Sequence, residues 1–514
     1  MRGPAQFNRR AIIAGALVVA AAGVAAAASA LDLAGSKPGL RHILPLLPGN
    51  GSGDPKARFR MGIAETDITP GRGTPMSGYG WRPRMSNGRC ARRLRAQCMV
   101  LRDINDRALV MVRVDAVALT REAYLSIVGS LIAEKLIARA DDFMINVSHT
   151  HSGPALGVHP DPRILTALPD AALPALKASV DTFKRHVIET VRRAHAADPV
   201  PVILGHAAGS ASVATFRWMP NDTAGPTEVP VIIAQHAETG KLQAVLFGYA
   251  CHPVCRGNDA VFDADFCGVS ATLVSRELGV PALFFQGMAG DVDPARMGKG
   301  EVRVSRVGHA LGEAVLKTVR EASFTRLSGP AKTAIEEIQL PFAVDLSKAE
   351  VIADLRLRYL ERIAKAPSGK ARHAGATKRH AQLMVELIDA GNLPTSIPMT
   401  LQCWGLGSLK ILTMAHEVVS GYAAAAKAKA SGPLWTMGYT NQVECYVPNE
   451  YALRGGGYPA GWEAATGRHL PSEAGSIMVY GWPAPLRSAL DAGPDRPAAS
   501  ELVMRSIERL LSVA

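Results

Sequence analysis

The sequence predicts an α/β fold, with a mixed β-sheet core and flanking helices in a single large catalytic domain. Three observations predict it. Short β-rich runs, several alternating in period two, interleave with longer segments whose apolar residues recur every three or four positions. Hydrophobic residues make up 48% of the 514-residue chain and charged ones 20%, a globular composition that excludes disordered, collagen-like and disulfide-scaffold classes. From Arg58 onward there is no repeat, no low-complexity tract and no second apolar run long enough to cross a bilayer, so residues 58–514 read as one domain.

The elements follow in chain order. Residues 108–117 (ALVMVRVDAV), 143–147, 242–249, 282–285 and 409–414 are bounded apolar runs of strand length. Helical periodicity covers residues 123–139, 171–197 and 302–322. Ser347 precedes Glu350 by three positions, a capping-box pattern that predicts a helix over 345–365. A second helix, 377–390, stops before Gly391, and the two read as a helical hairpin.

Residues 1–30 read as an export signal or membrane anchor. Arg2, Arg9 and Arg10 precede an uncharged run from Ala11, and Ala28-Ser29-Ala30 is a small-residue cleavage pattern. Arg9-Arg10 resembles a twin-arginine signal, which places the protein in the periplasm or outside the cell, secreted or anchored. The run to Leu31 is also long enough to serve as an uncleaved anchor. Residues 31–57, rich in proline, read as a linker.

The chain holds 57 Lys+Arg against 45 Asp+Glu, a formal charge of +12. Two basic clusters stand out: Arg82, Arg84, Arg89, Arg92, Arg93 and Arg95, and then Lys365, Lys370, Arg372, Lys378 and Arg379. They are candidate contacts for an anionic membrane surface or solvated faces. No helix-turn-helix, RNP or finger pattern accompanies them, so nucleic acid is not an expected partner. The seven cysteines lack zinc-ribbon spacing, and Cys251, Cys255 and Cys267 read as small buried hydrophobes.

Four apolar runs end in chemistry-bearing residues. Residues 143–147 lead to Ser148-His149-Thr-His151, 242–249 to Cys251-His252-Pro253, 282–285 to Gly290-Asp291-Val-Asp293-Pro294, and 409–414 to His416-Glu417. In open α/β sheets, sites gather beyond the carboxyl ends of strands. Neutral imidazoles and a carboxylate are zinc ligand types, and a catalytic zinc keeps one position open for water. Spacing does not show that residues a hundred positions apart converge.

With these motifs in order, the chain from about Met61 to Trp482 resembles the neutral/alkaline (non-lysosomal) ceramidase family. Gly62-Ile-Ala-Glu-Thr-Asp67-Ile-Thr-Pro70 and Ser77-Gly-Tyr79-Gly are similar to its opening, Ser148-His149-Thr-His151-Ser-Gly-Pro154 and Gly248-Tyr-Ala-Cys-His252-Pro253 to its histidine motifs. Gln286-Gly-Met-Ala-Gly290-Asp291-Val-Asp293-Pro294 is similar to its glycine-aspartate loop, and Gly438-Tyr-Thr440, Cys445-Tyr446-Val-Pro448 and Gly456-Gly-Tyr458 to its closing motifs. The resemblance implies zinc ligands at His149, His252, Glu417 and Tyr446, and His151 as an acid/base or orienting group beside the metal. It places Tyr458 facing the scissile carbonyl and Arg217 against substrate. It implies a zinc-dependent amidohydrolase cleaving the N-acyl amide of ceramide or a related lipid. The alternatives are hydrolysis of another N-acyl compound and a non-catalytic binding protein that retains the pocket. One departure is chemical: the family's loop serine is Asp293 here, leaving a general-base role or loop ordering for this carboxylate. The other is the family's immunoglobulin-like C-terminal domain, for which no counterpart is expected after Tyr446.

Overall fold

The computed structural model describes residues 59–79, 84–157, 168, 170–217, 223–366, 374–462, 470–473 and 475–513. Export signal or anchor and linker, at 1–30 and 31–57, lie outside the described residues. No described helix is long and apolar enough to cross a membrane.

Among the described residues, nine strands share one mixed sheet. They are β1 (Phe59–Asp67), β2 (Arg95–Arg102), β3 (Ala108–Val114), β4 (Phe143–Val147), β5 (Val200–Ser210), β6 (Glu228–His236), β7 (Leu242–Tyr249), β8 (Ala282–Gln286) and β9 (Thr325–Leu327). The order is β8-β7-β6-β5-β1-β2-β3-β4, with β9 beside β5. The edge pairs β7–β8 and β3–β4 are parallel, and the pairs between them antiparallel.

Period-two alternation assigns the faces of this sheet. Val110, Val112 and Val114, like Phe143, Ile145 and Val147, pack beneath helices, whereas Leu109, Met111 and Met144 face a second sheet. That sheet has the order β10 (Lys332–Pro341), β11 (Ser396–Leu406), β12 (Leu409–Met414), β13 (Leu434–Met437). Its Trp404, Leu409, Ile411 and Trp435 bury against Phe59, Leu204, Leu246 and Phe285 of the first sheet. Helices α1 (Arg121–Ala133), α2 (Leu173–Ala196), α3 (Asp265–Leu278) and α4 (Gly300–Glu321) cover the first sheet. Helices α5 (Ala349–Lys365), α6 (Ala374–Asp389) and α7 (Ala499–Val513) lie on the second-sheet side. The mixed-sheet α/β core with flanking helices holds as expected, and the architecture is four layers: helices, sheet, sheet, helices.

Some local expectations change. Helix α1 ends at Ala133, because Lys135 turns left-handed at φ 56°. Helix α5 starts after Lys348, since the Ser347 N–H and hydroxyl are both taken by the Asp345 carboxylate rather than capping the helix. The hairpin forms, tied by Arg356 Nε to Asp389 Oδ1 at 2.6 Å and by the Tyr359 and His380 rings 5.7 Å apart. Carboxylates neutralise much of the basic clusters: Arg92 bonds Asp263 and Glu301, Arg93 pairs with Asp67, Arg95 with Glu65, Lys365 with Glu361 and Arg379 with Glu386. Arg82, Lys370 and Arg372 lie outside the described residues. All seven cysteines are free thiols, and Cys251, Cys255 and Cys267, the last on α3, are buried in the core.

Candidate metal centre

The two ends of the nine-strand sheet meet at one residue. Asn146, near the end of β4, accepts from Gln286 N at 2.7 Å and donates to Gly438 O at 2.8 Å, so the carboxyl ends of the edge strands β4 and β8 adjoin. Just beyond β4, Ser148 N still bonds Val114 O, and His149 then turns the chain at φ 64°. A left-handed backbone is costly for a residue with a Cβ and persists only where the surroundings impose it. Here it swings the His149 ring inward, where Nδ1 meets Val117 O at 2.5 Å. His252, three residues past β7, is held by its N–H on Val292 O and its Nδ1 on Ala289 O at 2.7 Å. In both rings Nδ1–H is the donor, which leaves Nε2 as an acceptor turned into the centre, that of His252 also 3.3 Å from Arg217 Nη1.

Glu417 and Tyr446 arrive on a pair of two-residue parallel strands, Glu417–Val418 and Tyr446–Val447, directly opposite each other. His416, at φ 73°, makes the turn from β12 into this pair, its ring fixed by Pro398 O and Glu444 N. A side chain on Gly290 would meet Glu417 O at 2.6 Å, so only glycine lets the glycine-aspartate loop approach this strand. Gly78 has the same role beside His151: at φ 107°, a Cβ there would stand 2.8 Å from the ring. The Asp291 carboxylate orders the loop by accepting from Ser420 N at 2.6 Å and Ser420 Oγ at 3.0 Å.

The polar atoms converge tightly. His149 Nε2 lies 3.2 Å from His252 Nε2, 3.2 Å from His151 Nε2 and 3.2 Å from Glu417 Oε2. Glu417 Oε2 is 3.1 Å from His252 Nε2, and Tyr446 Oη is 3.4 Å from it. His149, His252, Glu417 and Tyr446 are almost wholly buried and His151 is partly so, and Glu417 Oε2 receives no hydrogen bond. Lone pairs facing lone pairs repel unless a cation lies between them. Ligands about 2.0–2.1 Å from a tetrahedral centre stand roughly 3.3 Å apart, the separation seen here. The donor set therefore fits a divalent metal, and His149, His151 and His252 group closely enough to hold one.

Burial and the neighbouring His149 and His252 push His151 well below the ordinary imidazole range, and burial with Arg217 alongside lowers His252 to about 4. Burial works against ionisation of Glu417, but His149 and His252 prevail and hold it well below the usual carboxylate range. Burial beside Glu417 raises Tyr446 and Tyr480 well above the ordinary phenol.

All eight residues singled out from the sequence fall at or beside this centre. Arg217 ends the short strand Ala214–Phe216, which pairs with Val292–Pro294, and bridges two of them: Nε donates to Asp293 Oδ1 at 2.7 Å and Nη1 to Tyr446 Oη at 3.0 Å. Tyr458 sets its ring edge-on to Tyr446, with centroids 5.4 Å apart. Two tyrosines were not foreseen. Tyr480 donates its hydroxyl to Glu417 Oε1. Tyr439, at φ 52°, lays its ring 4.4 Å from that of His149. Tyr439 lies in the Gly438-Tyr-Thr440 motif, which was a signal without a role; Tyr480 had none.

No protein-family model and no curated relative matches the chain in sequence. Solved structures do match in fold. The neutral ceramidase from Pseudomonas aeruginosa superposes with a TM-score of 0.62 at 17% identity, over 89% of this chain and 75% of that one. A ceramidase complexed with C2 gives a TM-score of 0.59 at 16% identity, over 87% of this chain and 76% of that one. Built outward from a buried cluster of histidines, carboxylate and tyrosine, the chain shares the fold of the neutral ceramidase structures.

Proposed function

We propose that this chain is an exported zinc-dependent amidohydrolase that cleaves the N-acyl amide of ceramide or a related lipid. The observation that carries this reading is the convergence of the His149, His151 and His252 Nε2 atoms, with Glu417 Oε2 against those of His149 and His252 and Tyr446 Oη alongside. The fold shared with ceramidase structures supports it. His149, His252, Glu417 and Tyr446 would hold the zinc. Bound there, zinc supplies Lewis acidity and lowers the pKa of a water molecule toward neutrality.

The protein's own groups do the rest. His151, kept neutral by burial, relays to the leaving amine the proton that Asp293 takes from the attacking water. Arg217 Nη1 and the Tyr458 hydroxyl offer donors to the oxygen of the tetrahedral intermediate. Asp293, in the position of the resembled family's serine, serves as general base, with Arg217 Nε fixing one carboxylate oxygen. Beside the centre, a cavity of about 420 Å3 lined by Phe216, Val419, Tyr451, Ala452 and Pro459 suits a hydrocarbon chain.

Elemental analysis of the purified protein is expected to give one zinc per chain, and a panel of ceramide, N-acyl amino acids and other lipid amides is expected to show zinc-dependent release of fatty acid from ceramide. Zinc retained in full by both His149→Ala and His252→Ala refutes the ligand set. Turnover of only a non-lipid N-acyl compound refutes the substrate. Export is tested separately by replacing Arg9 and Arg10 with lysine, which should strand the precursor in the cytoplasm.

A further inference from the structure

The basic run at Arg92–Arg95 takes no part in the metal centre. Arg92, Arg93, Arg95, Arg113, Arg193 and Arg276 line one cavity of about 830 Å3, against Glu65 and Asp115 as its lining carboxylates, and none of the residues of the metal centre lines it. Sheet register builds its floor. Glu65, Gln97 and Arg113 stand opposite one another on β1, β2 and β3, a polar row on the face where Met61, Met99 and Met111 are core. Small residues of α3, among them Gly268, Ala271 and Ser275, also line the cavity.

The pairing within this row is incomplete. Arg95 binds Glu65, Gln97 Nε2 donates to Glu65 Oε2 at 2.8 Å, and Arg113 Nη1 donates to Asp115 Oδ2 at 2.8 Å. Yet Arg113, 2% exposed, keeps Nε without a partner, and Asp115, 1% exposed, keeps Oδ1 without a donor. Buried polar atoms are satisfied in the great majority of native structures, so an unmet donor and an unmet acceptor in one cavity point to a ligand that offers both. At the rim, Arg193 Nη1 reaches Glu65 O and Thr66 Oγ1, and the exposed Arg276 pairs with Glu277.

We propose that this cavity binds a small hydroxyl-bearing phosphate monoester. The phosphate lies against Arg113, Arg193 and Arg276, whose planar forks match its oxygens, and a hydroxyl donates to Asp115 Oδ1. The same chemistry is presented by a soluble sugar or polyol phosphate and by a phosphorylated lipid headgroup. The inference is independent of the amidohydrolase reading.

The full chain is titrated with glycerol 3-phosphate by calorimetry at low salt, and in parallel floated with phosphatidic acid vesicles. The wild type is compared with Arg193→Ala/Arg276→Ala, a rim variant chosen because both side chains are exposed, with circular dichroism to confirm that it folds. Saturable one-to-one binding of glycerol 3-phosphate, weakened tenfold or more in the variant and by added salt, supports a soluble ligand. Binding to vesicles alone, with the same loss in the variant, supports a lipid headgroup. Failure of both probes to bind, or equal binding by wild type and variant, overturns the proposal.

Discussion

Replacing Tyr480 with phenylalanine tests whether the proposed metal centre depends on groups beyond its proposed ligands. Tyr480 is buried at the end of the short helix Ser476–Tyr480, and its hydroxyl donates to Glu417 Oε1, which leaves Oε2 turned toward His149 and His252. Phenylalanine keeps the ring and its packing and removes one oxygen. A hydrogen bond to a charged partner contributes about 1.5–3 kcal/mol. At about 1.4 kcal/mol per tenfold in affinity, the loss amounts to roughly 10–150-fold. Outer partners of metal ligands commonly matter by about 10–100-fold, in agreement. The assay is competition for zinc between the protein and a chelating indicator, with circular dichroism to confirm that the variant folds. Zinc affinity within about twofold of wild type in a folded Tyr480→Phe variant would refute the reasoning, because Glu417 would then be oriented by the strand pair alone.

Four further outcomes follow from the same geometry. Gly78→Ala places a Cβ 2.8 Å from the His151 ring at a φ of 107°, so turnover of a lipid amide should fall by about tenfold or more while zinc content stays unchanged. Asp293→Asn, which keeps the contact to Arg217, should lower kcat by roughly a hundredfold with little change in bound zinc if Asp293 is the base, and unchanged turnover assigns it to loop order. Asp263, fully buried between Arg92 and Arg256, should destabilise the protein by about 1.5–3 kcal/mol in urea unfolding when replaced by alanine, because the two guanidinium groups lose their buried carboxylate and keep only the more exposed Glu301. His380 is lowered by burial from 6.5 to about 3; the unfolded chain then binds the proton first as pH falls, so its contribution is present above pH 6.5 and is lost at up to about 1.4 kcal/mol per pH unit from there toward 3. Urea unfolding of His380→Gln over that range should show a shallower pH slope than wild type.

Local pattern carried five of the strands, in 108–117, 143–147, 242–249, 282–285 and 409–414, several of the helices and the side chains at the strand ends. It did not mark the strands Phe59–Asp67, Arg95–Arg102, Val200–Ser210, Glu228–His236, Lys332–Pro341 and Ser396–Leu406. The alternation in 108–117 and 143–147 marks which residues are buried, because successive strand side chains point to opposite faces. It also brings His149 to a strand's end, where its backbone has left the ladder. The residues that converge at the candidate centre were named through the resemblance of the motifs, Arg217, Asp293 and Tyr458 among them. Alternation does not say which strands pair or what covers each face. The second sheet buries Trp404 and Trp435 against the first, and that contact joins residues far apart in sequence. The Asn146 bonds that bring β4 to β8 and the strand pair that sets Glu417 opposite Tyr446 are likewise long-range. Tyr480 lay hidden for the same reason: a phenol in a short apolar helix reads as core until the fold places a carboxylate against its hydroxyl. Periodicity records burial, which each segment carries in its own residues. Convergence depends on which surfaces meet, and that was decided when the layers packed.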